Sequence, residues 1–103
     1  MVKIRGYRIE LGEVETVLSR HPEVGEACVT AQDDEGDARL VAFVALTPQS
    51  AADEASLRRY CREFLPLYMV PDEIALVHEL ARTSTGKIDR RAMSLMAKKA
   101  AAH

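Results

Sequence analysis

The spacing of apolar positions changes along this chain, and the changes predict a mixture of strands and helices. Residues 2–4 and 7–9 alternate apolar with charged side chains around Gly6, which is the pattern of a short β-hairpin. Residues 11–20 instead carry apolar side chains at the 3.6-residue spacing of a helix. Residues 40–46 are continuously apolar, which favours a central strand covered on both faces.

The same reasoning over the whole chain predicts an α+β domain in which helices pack a small three-stranded sheet, antiparallel or mixed, with an N-terminal β-hairpin. The predicted elements are a hairpin over 2–9, a helix over 11–20, strands over 25–32 and 40–46 joined by a polar turn over 33–37, a helix over 53–65, a strand over 73–77 and a helix from Asp89.

Several apolar side chains are predicted to lie in the core. In the second helix they form a stripe, in the loop between two prolines they pack locally, and in the last helix they face the sheet. The stripe comprises Leu57, Tyr60, Cys61, Phe64 and Leu65, the loop contributes Leu67, Tyr68 and Met69, and the last helix contributes Met93 and Met96.

The length of 103 residues fits a single domain, and the balance of 48% hydrophobic to 29% charged residues is ordinary for a globular protein. A formal net charge of -2 argues against nucleic-acid binding, because there is no basic excess to attract phosphates. Cys28 and Cys61 lack metal-ligand spacing and are expected to be buried, reduced thiols. We find no run of the ~20 apolar residues that a membrane span needs and no signal peptide, and we expect a cytoplasmic location.

The strongest candidate for chemistry is a Thr-Gly-Lys step at residues 85–87, inside the segment RTSTGKIDRR. Asp89 follows as a helix N-cap, and Ile88 and Met93 have the spacing of a hydrophobic staple across it. A lysine presented in this way, on a short loop anchored by a helix, can meet an anionic ligand or transition state.

This step is not a Walker phosphate-binding loop, because that motif needs a glycine at position 81 and a serine or threonine at position 88. Ala81 and Ile88 occupy those positions. A Thr-Gly-Lys loop before a helix is also common on ordinary surfaces. Lys87 therefore needs a second, independent feature before it can be given a function.

That second feature is a set of three blocks, which read VKIRGYRIELGEVE at 2–15, LPLYMVP at 65–71 and RTSTGKIDRR at 82–91. The three blocks closely resemble the C-terminal subdomain of adenylate-forming ligases in their order, spacing and residue identities. This superfamily includes acyl-CoA synthetases, luciferases and nonribosomal peptide synthetase adenylation domains. The residues of the first two blocks are most similar to those of the amino-acid-activating branch, which loads carrier proteins.

The resemblance implies a role for each loop. Lys87 would be the catalytic lysine that contacts the substrate carboxylate and the ribose and phosphate oxygens of the adenylate, and Gly86 would let the loop approach the ligand. The loop around Gly6 would enter the active site after adenylate formation and line a tunnel for the pantetheine thiol. Arg5, Tyr7 and Arg8 are assigned to that second site with it.

Alternatives remain at several of these positions. For Arg5 and Arg8, a role in the second site and a purely structural role are weighted equally. In the structural role they belong to a charged hairpin that is held by local ion pairs such as Arg8 with Glu10. The arginine cluster Arg58, Arg59 and Arg62 is typical of a solvated helix face, with docking of an acidic carrier protein as the alternative. His21 and His78 have no partner pattern.

One position departs from the sequence pattern of the family. The family has Leu-Pro before the threonine-rich loop, whereas this chain has Leu80 and Ala81. Without that proline, the approach to Lys87 is expected to be looser, while the charge itself is kept.

The resemblance further implies a mobile lid whose large N-terminal core and hinge are absent, so that this chain alone is expected to be inactive. ATP and Mg²⁺ would be bound mainly by the core, and the acceptor would be the phosphopantetheine thiol of a carrier protein, in antibiotic biosynthesis. The alternative is a non-catalytic interaction module that docks a carrier protein or complements a separate core in trans. A regulatory small-molecule-binding α+β domain is a third and weaker possibility.

Overall fold

The computed structural model describes residues 2–4, 6–34 and 37–101 and has the predicted α+β architecture. In chain order its elements are β1 (Val2–Ile4), β2 (Tyr7–Ile9), α1 (Leu11–Ser19), β3 (Val24–Asp34), β4 (Asp37–Leu46), α2 (Glu54–Phe64), a short 3-10 helix (Leu67–Met69), β5 (Glu73–Val77) and α3 (Arg90–Ala101). Each predicted strand and helix is therefore confirmed, with ends that differ by a few residues.

The three longer strands form a mixed sheet in the order β3-β4-β5, with β4 in the centre. β3 and β4 pair antiparallel from Val24 with Leu46 to Asp34 with Asp37, and β4 and β5 pair parallel. The predicted polar turn over 33–37 was too wide, because the ladder continues through both ends of that segment. Glu35 and Gly36, which lie between the strands, are outside the described residues.

The central strand β4 separates two hydrophobic clusters, because successive side chains of a strand point to opposite faces. Leu40, Ala42 and Val44 lie in the first cluster with the β1–β2 hairpin, α1 and α2. Val41 and Phe43 lie in the second cluster with the buried Met93 of α3. The fold therefore has three layers, and the predicted covering of β4 on both faces is confirmed.

The second helix begins where the sequence provides a cap. The Asp53 side chain accepts from the Ser56 backbone at 2.8 Å, while the Ser56 hydroxyl accepts from the Asp53 backbone at 3.0 Å, which makes a reciprocal capping box at the start of α2. These bonds to Ser56 lower the pKa of the Asp53 carboxyl. Leu57 and Cys61 of the predicted stripe are fully buried.

Four side chains predicted to pack are exposed, two on helices and two in the loop after α2, although Tyr68 still stacks on Tyr7. An apolar stripe shows which way a helix faces but not how far the neighbouring layer extends. In α3, the second cluster includes Met93 but not Met96. The exposed side chains are Phe64 at 56%, Leu67 at 78%, Tyr68 at 40% and Met96 at 49%.

Both cysteines are free thiols with fully buried side chains, as predicted. Burial raises the pKa of Cys28, and it raises the pKa of Cys61 to about 11. Over the described residues, none of the helices has the length and apolar character to cross a membrane.

Candidate functional site

The segment before α3 is a backbone-closed hairpin that carries Lys87 near its tip. Its base is fixed by the Asp89 amide, which donates to the Ala81 carbonyl at 2.7 Å, and its tip by the Thr83 amide, which donates to the Lys87 carbonyl at 2.7 Å. The pairs along the hairpin are Ala81 with Asp89, Arg82 with Ile88 and Thr83 with Lys87.

The tip of this hairpin requires Gly86 for backbone reasons. The Gly86 amide donates to the Thr83 carbonyl at 3.0 Å, and Gly86 has a φ of 87°. A turn followed by a left-handed residue is a common three-residue hairpin loop, and glycine adopts that conformation without steric cost. A side chain at Gly86 would meet no atom within 4 Å, so the backbone conformation alone demands glycine.

Thr83 holds the backbone of Lys87 from both sides. Its amide donates to the Lys87 carbonyl, and its hydroxyl accepts from the Lys87 amide at 3.3 Å and lies 3.0 Å from the Thr85 hydroxyl. The Lys87 side chain is exposed. Within residues 2–4, 6–34 and 37–101, no hydrogen bond or ion pair engages its ammonium group. The lysine is thus fixed at its backbone while its charge is available to a partner.

The helix behind the hairpin has the predicted cap. The Asp89 carboxylate accepts from the Ala92 amide at 3.0 Å, which satisfies a free donor of the first turn of α3. Met93 is fully buried, and Ile88 packs against the same second cluster, in agreement with the predicted staple. The Ala81 amide donates to the Met93 sulfur at 3.3 Å, a bond that proline at this position could not make.

Two charged side chains that the sequence reasoning did not single out hold the hairpin and α3 on the sheet. Arg82 donates to the Gly86 carbonyl at 3.0 Å and forms an ion pair with Glu26 of β3. Arg90, the first residue of α3, forms an ion pair with Glu15 of α1, and this contact raises the pKa of Arg90. The partners are 56 and 75 residues apart in the chain, so no local pattern could have revealed them.

The second predicted site lies on the β1–β2 hairpin. Gly6 has a φ of 83°, and a side chain placed there would meet no atom within 4 Å, so it too is a glycine demanded by the turn. Tyr7 stacks on Tyr68 with ring centroids 4.1 Å apart and planes 10° apart, and Arg8 is exposed. Arg5 lies outside the described residues.

The structure does not bring the two predicted sites together. Ile4 and Ile9 anchor the β1–β2 hairpin in the first hydrophobic cluster, whereas Leu80 and Ile88 anchor the Lys87 hairpin in the second. The two glycine loops therefore belong to opposite layers of the sheet. One rigid domain cannot present both to the same point of a partner in a single orientation.

Between α1 and the segment after α2 lies an open groove of about 670 Å³. Its lining is largely apolar, with one acidic and one basic residue: Gly12, Glu13, Thr16, Val17, Arg20, Phe64, Leu65, Pro66, Tyr68 and Met69. Among the described residues, no group of three or more His, Cys, Asp or Glu side chains is arranged to hold a metal ion.

Comparison with known proteins gives a consistent result. Residues 13–87 match the family model described as the AMP-binding enzyme C-terminal domain. The chain is 48% identical over 93 residues to a dimodular nonribosomal peptide synthase of Bacillus subtilis, which covers 89% of this chain and 4% of that protein. It is 47% identical over 93 residues to tyrocidine synthase 3 of Brevibacillus parabrevis, which covers 89% of this chain and 1% of that protein.

Among solved structures, the anthranilate CoA ligase AuaEII in complex with anthranoyl-AMP superimposes with a TM-score of 0.87 at 36% identity. The match covers 100% of this chain and 21% of that one. This chain thus spans a small part of each of these proteins, and the matching part is a domain of a much longer polypeptide.

Proposed function

This chain belongs to the family of AMP-binding enzyme C-terminal domains, and we propose that it is the mobile lid of an ATP-dependent adenylate-forming ligase. The ligase activates an amino or aryl acid as an acyl-adenylate and passes the acyl group to the phosphopantetheine thiol of a carrier protein. Support comes from the dimodular nonribosomal peptide synthase and the tyrocidine synthase that it resembles, and from the anthranoyl-AMP bound to a structural neighbour.

The observation that carries this proposal is the placement of Lys87 and Gly6 on opposite layers of one sheet. A reaction in two steps at one active site needs different groups in each step. A domain with one candidate loop per layer can supply them in turn by rotating between two orientations on a larger core. Such a rotation is a conformational step of the hinge type.

In the first step, a carboxylate oxygen of the acid attacks the α-phosphorus of ATP, and the bond from that phosphorus to the β-phosphate oxygen breaks to release pyrophosphate. Negative charge crowds the reacting oxygens as they approach each other. The Lys87 ammonium is exposed on a backbone-fixed hairpin. In the first orientation of the domain on the core, this ammonium stabilises the negative charge on the reacting oxygens. A preorganised donor of this kind is worth about 2.7–4 kcal/mol in the transition state.

In the second step, the pantetheine sulfur attacks the acyl carbon as the thiol proton passes to water, and the bond from the acyl carbon to the phosphate oxygen breaks, so that AMP departs with its electrons. The turn at Gly6 faces the thiol in this orientation, and its missing side chain leaves room for the pantetheine arm. Tyr7 and Arg8 flank the turn, and Arg5 completes the set assigned to it.

The rest of the ligase is supplied by an N-terminal core, which binds ATP, Mg²⁺ and the acid. The proposal includes a carrier protein as acyl acceptor, a place in antibiotic or related peptide biosynthesis, and a cytoplasmic location where ATP is available and the thiols of Cys28 and Cys61 stay reduced. The 103 residues by themselves are proposed to be catalytically silent.

The test is ATP–pyrophosphate exchange with this chain alone and with this chain joined to the adenylation core of a related synthetase. We expect no exchange from the chain alone and restored exchange in the joined protein. Lys87→Ala should lower the exchange rate at least about 100-fold, because the transition state loses one preorganised donor. It should leave acyl transfer from supplied adenylate intact. Exchange by the chain alone, or equal loss of both half-reactions in Lys87→Ala, would overturn the proposal.

A non-catalytic docking module is the second candidate, and the apolar surface around Phe64 and Leu67 favours it. Both side chains are more than half exposed, and Phe64 lines the groove between α1 and the end of α2. Exposed apolar surface of this kind marks interaction sites. A titration of the isotope-labelled chain with carrier protein alone distinguishes the two, because only the docking module predicts binding in the absence of a core.

A further inference from the structure

Arg82 joins the hairpin that carries Lys87 to the edge strand of the sheet. Its guanidinium donates to the Gly86 carbonyl at 3.0 Å, one residue before Lys87, and forms an ion pair with Glu26 of β3. We propose that Arg82 is a positioning residue, which sets the direction in which the hairpin presents Lys87. This inference rests on the proposed function of Lys87.

The hairpin needs such a contact because the hydrogen bonds at its tip are internal, while its contacts with the second hydrophobic cluster, through Leu80 and Ile88, lie at its base. The bonds among Thr83, Gly86 and Lys87 close the tip on itself, and those between Ala81 and Asp89 close its base. They define the shape of the hairpin but not the direction of its tip relative to the sheet. Arg82 provides the one described side-chain link from the tip to β3.

The planar guanidinium suits this task. It presents five N–H donors in a fixed geometry, so that one nitrogen can bond the Gly86 carbonyl while another faces the Glu26 carboxylate. The Glu26 side chain is one-third exposed and that of Arg82 is 44% exposed. An ion pair this exposed adds little to stability. Its effect is therefore expected in the geometry of the tip more than in the unfolding free energy.

A charge swap separates the ion pair from the carbonyl contact. In the double variant Glu26→Arg with Arg82→Glu the opposite charges can still pair, but a carboxylate at position 82 cannot donate to the Gly86 carbonyl. A merely structural ion pair would be restored by the swap, whereas a positioning donor would not. The matched control is Arg39→Gln, which removes an exposed ion pair with Glu73 on β5, away from the hairpin.

The first measurement is the backbone ¹⁵N relaxation and amide exchange of Gly86 and Lys87 in the 103-residue chain. We expect Arg82→Gln and the charge swap to make both amides exchange about fivefold faster, with thermal unfolding little changed. Arg39→Gln should leave both amides unchanged. Unaltered order at Gly86 and Lys87 in Arg82→Gln, or full recovery in the charge swap, would overturn the inference.

The second measurement is ATP–pyrophosphate exchange in the chain joined to an adenylation core, with Lys87→Ala beside the Arg82 variants. We expect a loss of about fivefold in Arg82→Gln, no recovery in the charge swap, and no loss of acyl transfer from supplied adenylate. If Lys87→Ala itself retains exchange, the proposed function fails, while the relaxation data still decide whether Arg82 orders the tip. If Lys87→Ala abolishes exchange and Arg82→Gln retains it with an ordered tip, the positioning role alone fails.

Discussion

Arg90 of α3 and Glu15 of α1 meet over the free edge of β3, where they bond the backbone of Val29. The Glu15 carboxylate accepts from the Val29 amide at 2.7 Å, and the Arg90 guanidinium donates to the Val29 carbonyl at 2.6 Å and to Glu15 at 3.0 Å. The two side chains thus occupy the backbone groups that a neighbouring strand would use. They cover this part of the edge and join the two outer layers of the fold.

This arrangement predicts that Glu15→Gln and Arg90→Gln each destabilise the domain. Each change weakens a charge-assisted bond and leaves its partner short of a counter-charge, at a cost of about 1–2 kcal/mol. For a domain of this size, that lowers the melting temperature by roughly 4–8 °C per kcal/mol. Thermal unfolding by circular dichroism measures the effect, with Arg39→Gln as the exposed-pair control. Losses no larger than that of the control would refute the edge role.

The left-handed conformation of Gly86 predicts the effect of replacing it. Gly86→Ala should lower the free energy of unfolding by about 1–2 kcal/mol, because alanine resists a positive φ although the site has space for its methyl group. Gly86→Asn should cost less, since asparagine tolerates this conformation better. Denaturant unfolding gives the comparison.

Gly12 provides the matched control for that experiment. It lies in α1 with no atom within 4 Å of an added side chain and no positive φ, so Gly12→Ala should stabilise the domain by about 0.5 kcal/mol. If Gly86→Ala behaves like Gly12→Ala, the left-handed turn is not required for the fold.

The buried thiol of Cys61 predicts a loss of stability at alkaline pH. Its pKa is raised to about 11 in the folded state, whereas an unfolded thiol has a pKa of about 8.5. The stabilisation is therefore complete below about pH 8.5 and is lost as the pH rises towards 11, since only the unfolded chain releases the proton in this window. Each thiol contributes at most about 1.4 kcal/mol per pH unit.

Urea unfolding between pH 8 and 10.5 checks this slope in wild type and Cys61→Ala. The variant should have a shallower decline, and the comparison cancels the titration of tyrosines and lysines that both proteins share. The native thiol should also resist disulfide reagents at pH 8. Identical slopes in the two proteins would show that the Cys61 pKa is not raised by folding.

The stack of Tyr7 on Tyr68 predicts a selective effect on the second half-reaction. Tyr68→Ala removes an aromatic contact worth about 0.5–1.5 kcal/mol, which frees the hairpin that carries Gly6. In the chain joined to a core, acyl transfer to the pantetheine thiol should fall about 2- to 10-fold, while ATP–pyrophosphate exchange stays unchanged. Tyr68→Phe keeps the ring and should behave as wild type. An equal fall in both half-reactions would contradict a role confined to this hairpin.

Local patterns in the sequence were sufficient for the elements and for the glycine, cap and staple around Lys87, whereas the backbone pairing that closes the Lys87 hairpin was not predicted. Apolar spacing defined the helices and strands, and the Asp89 cap and the Ile88–Met93 staple follow from residues within one or two turns of one another. Gly86 and Gly6 were found for the same reason, because a tight turn and its glycine are contiguous in the chain. The expected looseness from Ala81 in place of proline stays a prediction.

The tertiary structure decided which layer each loop belongs to and what holds it there. The opposite placement of Gly6 and Lys87 depends on the registers of β4 with its two neighbours, which bring together segments separated by tens of residues. The links from Arg82 to Glu26 and from Arg90 to Glu15 have the same origin. Phe64 and Met96 were predicted to be buried from helical periodicity, which gives the direction of a side chain. Burial also requires a second surface at that point, and only the packed chain determines where such surfaces end.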